Sequence, residues 1–202
     1  MRHRSEEKRE AILEAAAQVF GEVGFERASM TEISARAGGA RATIYSYFES
    51  KEELFFDAML KTTAAEFEAT HQALESGTEN VEEALKRFGH HFLSVLYSPE
   101  VQAIRRVVIA EAGRSNLGQL CFERGVQKSD ARVAEFLDRA ILAGKIKPTN
   151  TKIATKHLCA LLEAEFTDYF HFQIAAIIND QTINAAVARA VEVFMAAYQV
   201  SE

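Results

Sequence analysis

The chain predicts an all-α protein, and three observations carry that expectation. Its 202 residues contain only two prolines, Pro99 and Pro148, so long stretches are free of the residue that most strongly breaks a helix. Apolar residues recur at spacings of three and four over most of the length. No segment alternates apolar and polar with period two for long enough to form a sheet.

The elements follow in order. Ile12, Ala16, Val19, Phe20 and Val23 line one face of a first helix, and Gly24 ends it as a residue able to turn left-handed. Ser29 followed by Glu32 has the capping-box spacing and opens a short second helix, which Gly38-Gly39 stops after Ala37. A short third helix is expected over Arg41 to Tyr47. Ser50 and Glu53 repeat the capping box and open a long fourth helix towards Leu74. Further helices are expected over 79–97, 99–112, 115–144 with an interruption near Gly125, 151–176 and 181–199. Pro99 suits a first helical position, where its missing amide is no loss. The residues from Gly144 to Asn150, with Pro148, form a connector.

Bulk properties exclude several classes. Net charge is −6, yet the first 51 residues balance eight basic against eight acidic side chains, so the acidity lies wholly in the remainder. A neutral head with local basic points and an acidic body suits contact with phosphate at one end only. Cys121 and Cys159 show no metal-ligand spacing and read as reduced thiols. No apolar run approaches the roughly 18 residues of a membrane span, and no secretory segment is evident, so a cytoplasmic location is expected. No phosphate loop, dinucleotide fingerprint or nucleophile elbow appears, and neither catalytic residues nor a cofactor are expected. His90 and His91, adjacent on a helix, point about 100° apart and cannot chelate together. Asp168 and His171 share a face, but surface pairing explains them better than a metal.

The first three helices make a helix-turn-helix, two short helices across a tight glycine turn braced by a preceding one. Ile33 and Ala37 serve as anchors of the first short helix. Ile44 and Phe48 bury one side of the second, and Arg41, Thr43, Tyr45 and Tyr47 occupy the rest. This region is similar to the N-terminal domain of the TetR family of transcriptional regulators. The match runs through A-x-x-x-F-x-x-x-G-F (Ala16 to Phe25), I-x-x-x-A-G (Ile33 to Gly38) and T-I-Y-x-Y-F-x-S-K (Thr43 to Lys51).

The resemblance implies double-stranded DNA as a partner. It implies that Thr31 and Tyr47 hold phosphate oxygens and that Lys51 adds its ammonium and a helix amide end to another. It places Arg41, Ala42, Thr43 and Tyr45 against base edges or backbone, with Arg41 suited to a guanine and the methyls of Ala42 and Thr43 to a thymine. Ala40 and Ser46 depart from the family's usual serine cap and histidine. Tyr45 and Tyr47 suit packing as well as contact with DNA, and Arg36 suits an intramolecular pair better than a DNA contact. The basic residues Arg2, Arg4, Lys8 and Arg9 suit either a minor-groove arm or a surface helix face.

The remainder resembles the C-terminal domain of the AefR-like branch of that family, through R-x-V-I-A-E-A-x-R (Arg106 to Arg114) and L-G-Q-L-C-F-E-R-G (Leu117 to Gly125), with Ser115-Asn116 as a departure. The expected organisation is a DNA-binding domain over 1–50 and a ligand-sensing and dimerisation domain over 51–202. Phe92, Arg106, Phe122 and Phe166 are the candidates for an effector pocket. A small apolar or aromatic ligand is expected there, although the same phenylalanines serve a core with or without a ligand. Apolar residues on the last two helices (Ile153, Leu158, Leu161, Leu162, Val187, Val191, Phe194, Met195) are expected to form a homodimer that reads a palindromic operator and releases it on binding effector. The competing readings are a helical carrier or partner-binding module without DNA function, and an all-α enzyme.

Overall fold

The computed structural model describes residues 2–75, 80–175 and 177–200. The side chains of residues 2–5 and of Arg41 lie outside that description. The described residues are helical apart from turns and one isolated bridge between Ile146 and Gln199. The helices are α1 (Arg2–Arg27), α2 (Met30–Arg36), α3 (Arg41–Tyr45), α4 (Lys51–Gln72), α5 (Val81–Leu96), α6 (Pro99–Glu111), α7 (Leu117–Cys121), α8 (Gln127–Leu142), α9 (Thr151–Glu163), α10 (Thr167–His171) and α11 (Asp180–Tyr198). No helix among them is long and apolar enough to cross a membrane.

Local chemistry accounts for most boundaries. Gly24 takes φ 79°, which interrupts α1 where the sequence places its end. Side chains of Ser29, Asn80, Asn150 and Asn179 each accept a bond from the third amide of the helix they open. Thr182 closes a reciprocal capping box with Asn179. The interruption expected near Gly125 is a π-helical turn over Phe122–Val126 joining α7 to α8.

One long helix is not continuous. The helix expected over 151–176 stops at Glu163 and resumes as α10. A turn over 164–166 separates the two helices, and Phe166 at its end is buried in the core, its ring 5.2 Å from that of Tyr97. At the break the Glu163 carbonyl accepts both the Phe166 amide and the Thr167 hydroxyl, each at 2.9 Å.

The chain divides into two compact units. One comprises residues 1–64 with 104–123, the other 65–103 with 124–202. The division expected after residue 50 therefore misses two segments of the first unit. Phe55 on α4 packs edge-on against Phe20 at 5.0 Å and Phe25 at 5.1 Å, which ties the first half of α4 to α1. Leu117 is fully buried in the same cluster, with Ile104, Val107, Val108 and Leu120 packed against it.

The second unit is built on α5, α8, α9 and α11, with Phe88, Phe136, Leu158, Leu162, Val191 and Phe194 among its fully buried residues. Gly89 lets α5 approach closely, because a Cβ there would meet Leu162 Cδ2 at 2.7 Å and Val187 Cγ1 at 3.0 Å. This packing corrects the expected dimer face. Leu158, Leu162, Val187, Val191, Phe194 and Met195 lie in the chain's own core, since α5 and α8 cover them. The large apolar side chains that α9 and α11 leave outside are Ile153 and Val193, 52% and 53% exposed.

Candidate nucleic-acid interface

The first unit braces two short helices on α1. Ile33 of α2, Ile44 of α3 and Phe48 just beyond it are essentially inaccessible to solvent. The turn between the helices needs Gly38 in the left-handed region, at φ +65°. Ser34 is buried and its hydroxyl donates to the Gly39 carbonyl at 3.1 Å, closing the turn from inside. Lys8 adds a longer-range tie. Its ammonium donates to the carbonyls of Ala37 at 2.8 Å and Gly38 at 3.2 Å, the acceptors left unpaired where α2 ends. Sequence spacing gives no signal for this tie, because Lys8 lies 29 residues from Ala37.

The outward side of this frame carries most of the sequence candidates. Thr31 and Ala42 are exposed and Tyr45 is 44% exposed, while Thr43 and Tyr47 are half-buried, Tyr47 packing against the head's core. The backbone of Arg41 opens α3, but its side chain lies outside the described residues. Ala40 has N-cap backbone geometry and no side-chain bond to the helix, as its methyl dictates. Ser46, at the end of α3, donates to the Thr43 carbonyl at 2.6 Å and so satisfies its hydroxyl locally.

Lys51 differs from the other candidates. Its ammonium is turned inward, 3.0 Å from the Phe25 carbonyl and 3.4 Å from those of Glu26 and Ala28, and lies 4.4 Å from the centre of the Phe25 ring. The charge that the resemblance assigns to a phosphate thus closes the end of α1 onto α4. Arg36 pairs with Glu22 at 2.6 Å and Glu32 at 3.6 Å, in line with the intramolecular reading. Their hydrogen bond holds the Glu22 carboxyl below its usual range. Arg9 likewise faces inward, 2.5 Å from Asp57 and over the Phe48 ring. Of the basic N-terminal residues, Lys8 and Arg9 therefore hold the head together, and the side chains of Arg2 and Arg4 lie outside the described residues.

The effector candidates do not share one compact unit. Phe92 is half-buried in the second unit, stacked on Phe88 at 5.5 Å, and Phe166 is buried there beside Tyr97. Arg106 and Phe122 belong to the first unit, and both are exposed.

Comparison with known proteins matches this architecture segment by segment. Residues 12–58 match the family described as bacterial regulatory proteins of the tetR family, and residues 83–200 match the C-terminal domain of AefR-like transcriptional repressors. The HTH-type transcriptional regulator YhgD of Bacillus subtilis is 23% identical over 170 residues, which are 81% of this chain and 84% of YhgD. The structure of a TetR-family transcriptional regulator from Mesorhizobium loti superimposes with a TM-score of 0.84 at 27% identity, covering 98% of this chain and 99% of that one. The flavonoid-responsive regulator FrrA superimposes with a TM-score of 0.77 at 27% identity, covering 98% and 100%. With a helix-turn-helix at its head and matches over both halves, the chain belongs to the TetR family and is a DNA-binding transcriptional regulator with a ligand-binding C-terminal domain.

Proposed function

We propose that the protein is a dimeric repressor that grips a palindromic operator and releases it when a small apolar or aromatic effector occupies the second unit. The carrying observation is the division of labour on α3, where Ile44 is fully buried while Ala42 and Tyr45 are exposed. A helix anchored on one side and open on the other suits the major groove. In this reading Thr31 and Tyr47 hold phosphates and set the register. Arg41, Ala42, Thr43 and Tyr45 meet base edges or backbone. Lys51 serves by fixing the angle between α1 and α4.

Dimers form through the outward sides of α9 and α11, and the two-fold axis matches that of the operator. Repression is supported by the AefR-like repressor match, and an aromatic effector by the likeness to the flavonoid-responsive FrrA. Linkage requires that effector and DNA weaken each other equally, and a coupling of about 1–3 kcal/mol is typical.

The test is fluorescence anisotropy against DNA from upstream of the protein's own gene. Selective binding is expected, with affinity falling steeply between about 50 and about 200 mM salt as phosphate contacts release counterions. Equal affinity for random DNA, in protein shown to be folded and dimeric, would move the reading to a carrier.

A further inference from the structure

The connector between α10 and α11 is unlike a loop that stays in water. Residues 172–179 carry no charged side chain, in a chain of which 26% of residues are charged. Phe172 and Ile177 are 72% and 82% exposed, and Tyr169 and Ile174 are exposed with them. Both ends of the connector are anchored, because Phe170 is buried in the core and Ile178 packs against it. The Ile174 amide donates to the Tyr169 carbonyl at 3.0 Å, and the reciprocal cap of Asn179 and Thr182 opens α11 directly afterwards. The apolar side chains are thus held outward by local structure, and folded chains that stay monomeric rarely leave such a patch open.

The surroundings select what covers it. Asp168 and Asp180 flank the connector, and no lysine or arginine occurs from residue 157 to 188, so an anionic lipid surface or a nucleic acid is a poor match. A second copy of the chain is a good one. TetR-family regulators form dimers. The outward sides of α9 and α11 offer Ile153 and Val193 among small residues such as Ala160, Ala164, Ala185 and Ala188, without an exposed phenylalanine or tyrosine. A stable interface buries about 800 Å² per partner around a core enriched in aromatic side chains, which that face lacks. The pairs His157–Tyr198 and Glu165–Arg189 show that α9 and α11 run antiparallel, so the connector lies at one end of the same pair of helices.

We propose that a second copy of this chain covers the connector, extending the contact of α9 and α11 past the end of those helices. Phe172 and Ile177 are the buried anchors of that extension, and two-fold symmetry uses them in both copies. The inference rests on the dimer reading above and adds the side chains that set the strength of the dimer.

The test is sedimentation equilibrium of the full-length protein, of its Phe172→Ser/Ile177→Ser variant and, as control, of Leu142→Ser, which replaces an 88% exposed side chain elsewhere in the same unit. The double variant is expected to raise the dimer dissociation constant at least about hundredfold, and the control less than about threefold. All three proteins are expected to share one circular dichroism spectrum, since the replaced side chains are exposed within a single chain. Hydroxyl-radical footprinting of the wild type gives a readout that needs no variant. Phe172 is expected to oxidise at least about fivefold more slowly in the folded dimer than in the urea-unfolded chain, as a side chain at the buried centre of an interface does. A dimer of unchanged strength in the double variant, or Phe172 as reactive folded as unfolded, would overturn the proposal and leave the dimer reading intact. A monomeric wild type would overturn both, and flotation of that monomer with phosphatidylcholine vesicles would assign the connector to a lipid surface instead.

Discussion

At the scale of single residues, the side chains that sequence marks as functional divide into those that face out and those that hold the head together. Lys51 is the informative case. A lysine opening a helix beside a DNA-reading segment has the chemistry of a phosphate contact, and only folding reveals that three carbonyls of the α1 end lie within its reach. Lys51→Ala is therefore expected to lower stability by about 1–2 kcal/mol in urea unfolding, as loss of charged hydrogen bonds does. In the folded variant an unchanged salt slope of operator binding would assign Lys51 to the α1 end alone, and a slope lower by about one would assign it to a phosphate as well. The two thiols give a second prediction. Burial, aided by Asp130 and Glu163, pushes the Cys159 thiol up to about 12, and burial raises Cys121 as well. The thiolate is the reactive form, so Cys159 should resist alkylation by iodoacetamide at about pH 8 and react fully only in denaturant, as mass spectrometry would read.

At the scale of elements, caps and glycines made most boundaries legible, because each is a local bond between residues three or four apart. Ser29 and Ser50 each accept the amide three residues on, and Gly24 and Gly38 take the positive φ that ends a helix or turns the chain. The break between α9 and α10 was not legible. It depends on Phe166 reaching Tyr97, almost 70 positions away, and nothing in the local pattern of 151–176 forbids a continuous helix. Two substitutions test the element-level account. Ala40→Ser supplies the hydroxyl that α3 lacks, and with the N-cap backbone already extended it should stabilise by about 0.5–1 kcal/mol in urea unfolding. Gly89→Ala should instead destabilise by about 1–3 kcal/mol, visible as a lower thermal midpoint. The new methyl would press on Leu162 and Val187, and the better helix propensity of alanine, worth about 1 kcal/mol, offsets this only in part.

At the scale of the whole molecule, stability should depend on pH through His71. Burial lowers its folded-state pKa from the ordinary 6.5, with Arg132 acting in the same direction and the Phe67 carbonyl, Glu68 and Ser129 opposing. The unfolded chain then binds a proton before the folded one does. Stability from this group is fully present above about pH 6.5 and falls as acidification takes the solution towards the folded value. The thermal midpoint is expected to drop between about pH 7.5 and 5.5, and the His71→Gln variant to show a shallower drop. A slope equal to that of wild type would remove His71 from the account.

By itself, the sequence determined the helical class, the helix-turn-helix with its buried Ile33, Ile44 and Phe48, and the family likeness. These rest on periodicity, caps and turn residues that act over a few positions, and local rules reach that far. Tertiary structure decided the rest. It joined residues 104–123 to the head through Leu117, and covered the apolar faces of α9 and α11 with α5 and α8 rather than leaving them for a partner. It also brought Arg132 onto Glu68 and turned Lys51 inward. Each of these is a contact between residues far apart in the chain. Which of several matching apolar faces or opposite charges will meet is settled by packing the whole chain together, because the residue pattern permits them all.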